Sequence, residues 1–143
     1  MSYKKILIAV DSSEYSLAAA KKGIALAHQL NAKSALLFVI DRARTIHSAD
    51  AGILPEDAII ILKKEAEQTL DQLATMYNGK ELVKFMPEGR PSEDIIKTAE
   101  IWGADLIVMG THGRTGLMHF LMGSVAEHVL RHSKIPVMIV PSK

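Results

Sequence analysis

The fold is indicated first by the segment KKILIAVD at residues 4–11, in which five apolar residues stand between two lysines and an aspartate. An uninterrupted apolar run of this length is typical of a strand buried on both faces of a parallel sheet. Similar runs occupy residues 35–40, 106–109 and 137–140, while residues 82–86 alternate more, as an edge strand does. The sequence therefore predicts five strands.

The segments between these strands carry apolar residues at three- or four-residue steps, which predicts amphipathic helices. The third of them begins at a proline and is stopped by a glycine, the usual arrangement at the two ends of a helix. The four predicted helices cover Leu17 to Ala27, Ile59 to Tyr77, Pro91 to Trp102 and about Ser124 to Arg131. Strands that alternate with helices predict a doubly wound α/β fold with a parallel sheet, right-handed crossovers and helices on both faces.

Length and composition indicate one globular domain, residues 1–143, with 48% hydrophobic and 23% charged residues. The polar segment Asp41 to Pro55 has little periodicity, and we predict a flexible loop there. A formal charge of only +1, with acidic and basic side chains interspersed, argues against nucleic-acid binding. The absence of cysteine excludes thiolate catalysis and disulfides, and no long apolar segment suggests a signal peptide or membrane span. We expect a cytoplasmic protein.

Two glycines, Gly110 and Gly113, follow the fourth predicted strand. After nine further residues, Gly123 and Ser124 begin the last predicted helix. Glycine lets backbone amides approach an anion closely, and a helix N-terminus offers unpaired N–H groups with about half a positive charge. The stretch from Gly110 to Ser124 therefore predicts a phosphate cradle. The structural alternative is that these glycines only permit a tight exit from the strand and cap a helix.

Several nucleotide-binding classes are disfavoured by the residues immediately after the first strand. Residues 11–14, DSSE, lack the G-x-G-x-x-G of nicotinamide dehydrogenases, and no Walker motif occurs in the chain. An ATP pyrophosphatase or adenylyl-transferase relative would carry a glycine-rich phosphate loop at that position. A receiver-like signalling domain would need an acidic pair there, an aspartate after strand three and a lysine after strand five. These two classes remain the alternatives.

The pattern Gly110-x2-Gly113-x9-Gly123-Ser124 resembles the ATP-binding signature of the universal stress protein family, and the similarity covers essentially the whole chain. The opening residues 4–11 and the closing residues 133–137 fit the same pattern. The resemblance implies a fold like that of the adenine nucleotide alpha hydrolases, with strand order 3-2-1-4-5. In that order Asp11 and Gly110 face one crevice, where the strand order reverses.

The resemblance also implies which residues would bind ATP. Ala9 and Asp11 would border the adenosine, and Val39 would offer backbone hydrogen bonds and an apolar surface to the adenine. Ribose and phosphates would be held by Gly110, His112, Gly113, Arg114, Gly123, Ser124 and Val125. Mg²⁺ would enter with the phosphates, and no side chain is assigned as a metal ligand or as a catalytic group.

Asp11 has a second interpretation, because Asp11 and Glu14 have the spacing of a capping box at the start of the first helix. In the functional interpretation Asp11 hydrogen-bonds the ribose or adenine, or holds the magnesium ion. The sequence leaves both open.

Two histidines, His128 and His132, lie four residues apart on the last predicted helix. Their order differs from the H-E-x-x-H of zinc enzymes, in which the general base stands between the ligands. We interpret them as part of a solvated helix face.

The predicted function is that of an ATP-binding universal stress protein, a nucleotide-dependent stress-response switch. Occupancy would alter the Gly110 to Ser124 loop and the Asp41 to Pro55 segment. At most slow ATP hydrolysis or autophosphorylation is expected, since no activated nucleophile or paired carboxylates can be assigned. The strand Pro136 to Val140 is apolar and would lie at the sheet edge, and the resemblance implies that it pairs with its copy across a two-fold axis in a homodimer.

Overall fold

The computed structural model describes residues 2–77, 82–111 and 122–141. The described strands are β1 (Lys5–Val10), β2 (Lys33–Phe38), β3 (Ile40–Asp41), β4 (Leu82–Phe85), β5 (Glu88–Gly89), β6 (Leu106–Gly110) and β7 (Val137–Val140). The described helices are α1 (Glu14–Leu30), α2 (Ala43–Asp50), α3 (Pro55–Ala74), α4 (Pro91–Trp102) and α5 (Ser124–His132). Across the described ranges, no helix combines the length and apolarity that crossing a bilayer requires.

Five of these strands form one parallel sheet in the order β4-β2-β1-β6-β7. In its centre, Ile8 of β1 lies opposite Leu36 of β2 and Val108 of β6. With the five predicted strands numbered alone, this order is 3-2-1-4-5, so the predicted α/β fold is confirmed. The carboxyl ends of β1 and β6 therefore lie side by side where the strand order reverses, which is the usual ligand position in open α/β sheets.

The helices cover both faces of the sheet, which explains the uninterrupted apolar run of β1. Ile6, Ile8 and Val10 belong to one buried cluster with α1 and α3, whereas Leu7 and Ala9 belong to a second cluster with α4 and α5. Successive side chains of a strand point to opposite faces, so a strand covered on both sides needs apolar residues at every position.

The distance between α1 and the sheet is set at Gly23. A Cβ atom at this position would lie 3.1 Å from side-chain atoms of both Ile8 and Val108. Glycine inside a helix costs about 1 kcal/mol relative to alanine. Its presence in the middle of α1 is therefore explained by the close approach of the helix to β1 and β6.

The segment Asp41 to Pro55, predicted as a loop, contains β3 and α2 in the structure. The only large apolar residue of α2, Ile46, is 66% exposed. Polar contacts hold the helix instead: Asp41 Oδ1 accepts a hydrogen bond from Ala43 N at 3.0 Å, and Arg44 forms an ion pair with Glu65 of α3. A helix stabilised in this way carries no 3.6-residue apolar pattern, so the sequence does not predict it.

The two short strands β3 and β5 pair with each other, outside the main sheet. Ile40 N donates to Pro87 O at 2.7 Å, and Arg42 N donates to Gly89 O at 3.1 Å. These bonds tie the chain leaving β2 to the chain entering α4, and so bring both segments to the same end of the sheet.

Candidate functional site

A cavity of about 400 Å³ lies at the carboxyl ends of β1, β2 and β6. Seven residues of the predicted site line it: Ala9, Asp11, Val39, Gly110, Gly123, Ser124 and Val125. The other three, His112, Gly113 and Arg114, lie outside the described residues. A second cavity of about 370 Å³, between α1 and the end of α3, is lined by none of the predicted residues.

One side of the cavity at the strand ends is apolar. Val39, Ile95 and Met109 lie on its lining and are all at most 7% exposed. They belong to the same buried cluster as Ala9, on the α4 and α5 side of the sheet. Together they form an apolar wall of the kind that lines pockets for small ligands.

The N-terminus of α5 forms another part of the lining, through Gly123, Ser124 and Val125. Gly123 is the N-cap residue, and no side chain in the described part of the chain caps the helix. Gly123 N itself donates to Thr111 O at 2.7 Å, which fixes the helix start against the end of β6. The first amide groups of a helix have no partner within it, so this end of α5 presents N–H donors and the positive end of its dipole to the cavity.

Asp11 lies where β1 ends, and its contacts exclude the capping-box interpretation. The N-cap of α1 is Ser13, whose Oγ accepts from Ser16 N at 3.2 Å. Asp11 Oδ1 instead accepts from Ser13 N at 2.8 Å, and Asp11 N donates to Ser16 Oγ at 2.7 Å. These bonds hold the carboxylate at the mouth of the cavity, next to Gly110 on the neighbouring strand end.

A cluster of charged and polar side chains closes the cavity on the α2 side. Arg44 lines the cavity and binds both carboxylate oxygens of Glu65, each at 3.2 Å. Ser12 Oγ donates to Glu65 Oε1 at 2.5 Å. The cluster formed by Ser12, Arg44 and Glu65 joins the loop after β1 to α2 and α3. The bidentate hydrogen bonding between Arg44 and Glu65 gives the two side chains a defined relative orientation.

The family model described as the universal stress protein family matches residues 2–141. The chain belongs to the universal stress protein family. Its sequence is similar to that of the universal stress protein MJ0531 of Methanocaldococcus jannaschii. The two are 38% identical over an alignment 143 positions long, which covers 96% of this chain and 82% of that protein.

Solved structures share the fold of this universal stress protein. MJ0577 of the same organism is 33% identical over an alignment 156 positions long, which covers 99% of this chain and 96% of that protein. A structure of MJ0577 superposes with a TM-score of 0.86 at 32% identity, covering 100% of this chain and 99% of that one. A universal stress protein in complex with cAMP superposes with a TM-score of 0.71 at 24% identity over the full length of both chains.

Sequence reasoning missed several lining residues of this universal stress protein. Pro91 and Ile95 come from the first two turns of α4, which follows a strand end, and the rule that ligands bind at such ends could have included them. Asp41 and Arg44 also line the cavity, but their segment was predicted as a loop. No sequence signal indicated that Arg44 would meet Glu65, which is 21 residues away along the chain.

Proposed function

We propose that this universal stress protein binds ATP in the cavity at the ends of β1, β2 and β6, and that occupancy of the cavity acts as a stress-response switch. The observation that carries the proposal is the N-terminus of α5, which no described side chain caps and which opens onto a cavity of about 400 Å³ with an apolar wall. Pockets for small ligands are typically 300–1,000 Å³, with apolar walls and a few oriented polar groups.

The adenine is assigned to the apolar side of the cavity. Val39, Ile95 and Met109 would contact the faces of the ring there. The backbone groups of Val39 come directly after the last residue of β2 and would pair with the ring edge. The cAMP complex of a protein with the same fold supports an adenine nucleotide as the class of ligand.

The phosphates are assigned to Gly110 and the start of α5. Ser124, Val125 and Ala126 would supply backbone N–H donors, and the helix dipole favours a negative charge at this position. His112, Gly113 and Arg114 complete the proposed phosphate site by the resemblance of the glycine signature. Asp11, just beyond the end of β1, would accept a hydrogen bond from a ribose hydroxyl.

Magnesium would enter this site with the nucleotide. In the described part of the chain, no group of three or more histidine, aspartate or glutamate side chains is placed to hold a metal ion. Mg²⁺ is commonly bound through substrate phosphates, one or two carboxylates and water. We propose that the phosphates supply most of its ligands and that hydrolysis or autophosphorylation is slow at most.

Occupancy could be transmitted to the surface through α2. Ala43 and Arg44 of α2 line the cavity, and Ile46 on the same helix is exposed to solvent. A nucleotide that contacts the first turn of α2 would therefore shift a helix that also forms part of the outer surface. The proposed switch is this change in the position of α2 at the protein surface. We expect the protein to act in the cytoplasm.

Addition of ATP is expected to raise the melting temperature of the purified protein. At 100 times its dissociation constant a ligand adds about 2.7 kcal/mol to the free energy of unfolding. At about 4 °C per kcal/mol for a chain of this size, the increase is roughly 10 °C. Thermal melts with ATP, AMP, cAMP and GTP, each with Mg²⁺, measure it, together with nucleotide released from the denatured protein. If millimolar ATP leaves the melting temperature unchanged, the proposal is contradicted. If cAMP raises the melting temperature more than ATP does, cAMP rather than ATP is the ligand.

We also propose a homodimer formed by antiparallel pairing of β7 with its copy. β7 is the last strand of the sheet, and in the described residues it pairs only with β6. The carbonyl group of Pro136 accepts a hydrogen bond from Ile107 N of β6, and that of Val140 accepts one from Thr111 N, just beyond the end of β6. Because backbone groups alternate in direction along a strand, those of Val137 and Ile139 point to the open edge. An open apolar edge of this kind requires cover.

Ile139→Pro is expected to convert the dimer to a monomer, because proline removes an outward N–H group and leaves the bonds to β6 in place. Ile139→Ala is the matched control, since it loses side-chain packing but keeps the N–H group, and it should remain dimeric. Sedimentation velocity measures both. A monomeric wild-type protein, or a dimeric Ile139→Pro variant, contradicts the proposed interface.

A further inference from the structure

Two histidines meet on the last turns of α5. His128 and His132 lie one helical turn apart, and their rings stack with centroids 4.2 Å apart and planes inclined by 26°. The sequence alone suggests a solvated helix face at this position. In the structure, the two imidazoles lie together on one side of the helix, at the end opposite to the nucleotide cavity.

The hydrogen bond made by His132 determines which of its nitrogens carries the proton. His132 Nδ1 lies 3.0 Å from the backbone oxygen of His128. A carbonyl oxygen can only accept, so Nδ1 is the donor, and in the neutral ring Nε2 keeps its lone pair. Histidines that ligate metals are commonly oriented in this way, with the other ring nitrogen donating to a carbonyl or carboxylate.

The electrostatic environment at this end of α5 favours a bound cation. The last turn of a helix carries the negative end of the helix dipole. The neighbouring cation, Arg131, is paired with Glu127, with 2.8 Å between Nη2 and Oε1. The positive charge of Arg131 is therefore offset by a carboxylate on the same helix.

We propose that His128 and His132 form a two-histidine site for a divalent transition-metal ion such as Zn²⁺, Ni²⁺ or Cu²⁺. Bonds of about 2.0–2.1 Å at a tetrahedral angle require the two ligating nitrogens to be about 3.3 Å apart. The ring centroids are 4.2 Å apart, so binding of the ion would need the two side chains to rotate until one nitrogen of each ring reaches this distance. Two histidines at positions i and i+4 of a helix are an established geometry for chelating zinc.

The site selects by ligand chemistry. Imidazole nitrogens suit Zn²⁺, Ni²⁺ and Cu²⁺, with Cu²⁺ bound most tightly in the usual order of stability, whereas Mg²⁺ and Ca²⁺ prefer oxygen ligands. Water molecules complete the coordination of the ion, since His128 is half-buried and His132 is exposed. The metal site does not require the nucleotide cavity to be occupied.

Calorimetric titration of the tag-free protein with Cu²⁺, Ni²⁺, Zn²⁺ and Mg²⁺, without nucleotide, tests the proposal. We expect one ion per chain for the first three, tightest for Cu²⁺, and no Mg²⁺ binding at this site. His128→Gln and His132→Gln should each weaken Ni²⁺ and Zn²⁺ binding at least tenfold. His28→Gln, at an exposed histidine on α1, is the matched control and should leave the affinity unchanged.

Melting curves without metal establish that each variant is folded. Two variants are used because the loss of either ligand should have the same effect on binding. If neither substitution changes the affinity, or if His28→Gln lowers it equally, the bound metal lies elsewhere and the proposal is overturned. Equal competition by Mg²⁺ would also overturn it, because oxygen ligands would then form the site.

Discussion

Ser124→Glu is expected to abolish ATP binding while leaving the unliganded protein at least as stable as the wild type. Ser124 is the first residue of α5, is exposed, and lines the cavity. A carboxylate at this position lies where the phosphates are proposed to bind. Two like charges 4 Å apart repel by about 1 kcal/mol in water and about 4 kcal/mol at an effective dielectric constant of 20. Against several phosphate charges, the dissociation constant should rise roughly 100-fold or more.

Ser124→Gln is the matched control for this prediction, because glutamine has the size of glutamate without its charge. Glutamate at a helix N-terminus contributes about 0.3–1 kcal/mol of stability, so the melting temperature without ligand should not fall in Ser124→Glu. Isothermal titration with ATP compares the two variants. Equal losses of affinity would show that charge at the start of α5 does not face the phosphates, and would contradict the proposed orientation of the nucleotide.

Ile8→Ala is expected to lower the free energy of unfolding by about 2–5 kcal/mol, the range for truncating a large buried aliphatic side chain. Ile8 is fully buried in the central strand, between Leu36 and Val108 on the neighbouring strands. Its removal leaves a cavity beneath α1 that the flanking strands cannot close. Urea denaturation measures the effect as a lower midpoint at an unchanged slope. A decrease of less than about 1 kcal/mol in the free energy of unfolding would mean that α1 packs less closely against the sheet than it does in the structure.

Gly23→Ala in the Ile8→Ala background is expected to restore part of this loss. In the wild type, the added Cβ would lie 3.1 Å from Ile8 and Val108. Such overpacking typically costs about 1–3 kcal/mol. Without the Ile8 side chain, its two close contacts disappear and the one with Val108 remains, which offsets part of the gain in helix propensity of about 1 kcal/mol. The double-mutant cycle should show a coupling of about 1 kcal/mol. Additive effects would indicate that Gly23 does not limit the approach of the helix.

The parts of the fold that were predicted from the sequence are those in which burial and backbone chemistry act together. α4 has its predicted bounds because Pro91 begins it and Gly103 ends it, with Gly103 at a φ of 83° that favours glycine. β7 also has its predicted bounds, since its apolar residues lie between Pro136 and Pro141. α2 was missed because none of its described side chains is buried, and β3 and β5 because two-residue strands leave no periodic pattern.

The candidate site was predictable where it depends on strand ends. Asp11, Val39 and Gly110 lie at or just beyond the ends of parallel strands, so topology alone brings them to one edge of the sheet, and all three line the cavity. Arg44 was not predictable, because its position depends on a pairing with Glu65 that no local pattern encodes. The roles assigned to these residues toward ATP remain predictions.

The way in which α2 is attached gives the cavity two kinds of wall. Its floor and the wall on the α4 side belong to a buried core cluster, which opens only when much of the protein unfolds. The α2 wall has no buried side chain among those described, and is joined to α3 through the Arg44 and Glu65 ion pair. Local unfolding of this wall therefore costs much less free energy than global unfolding, and its attachment weakens with ionic strength, so a ligand can enter and leave without disturbing the sheet.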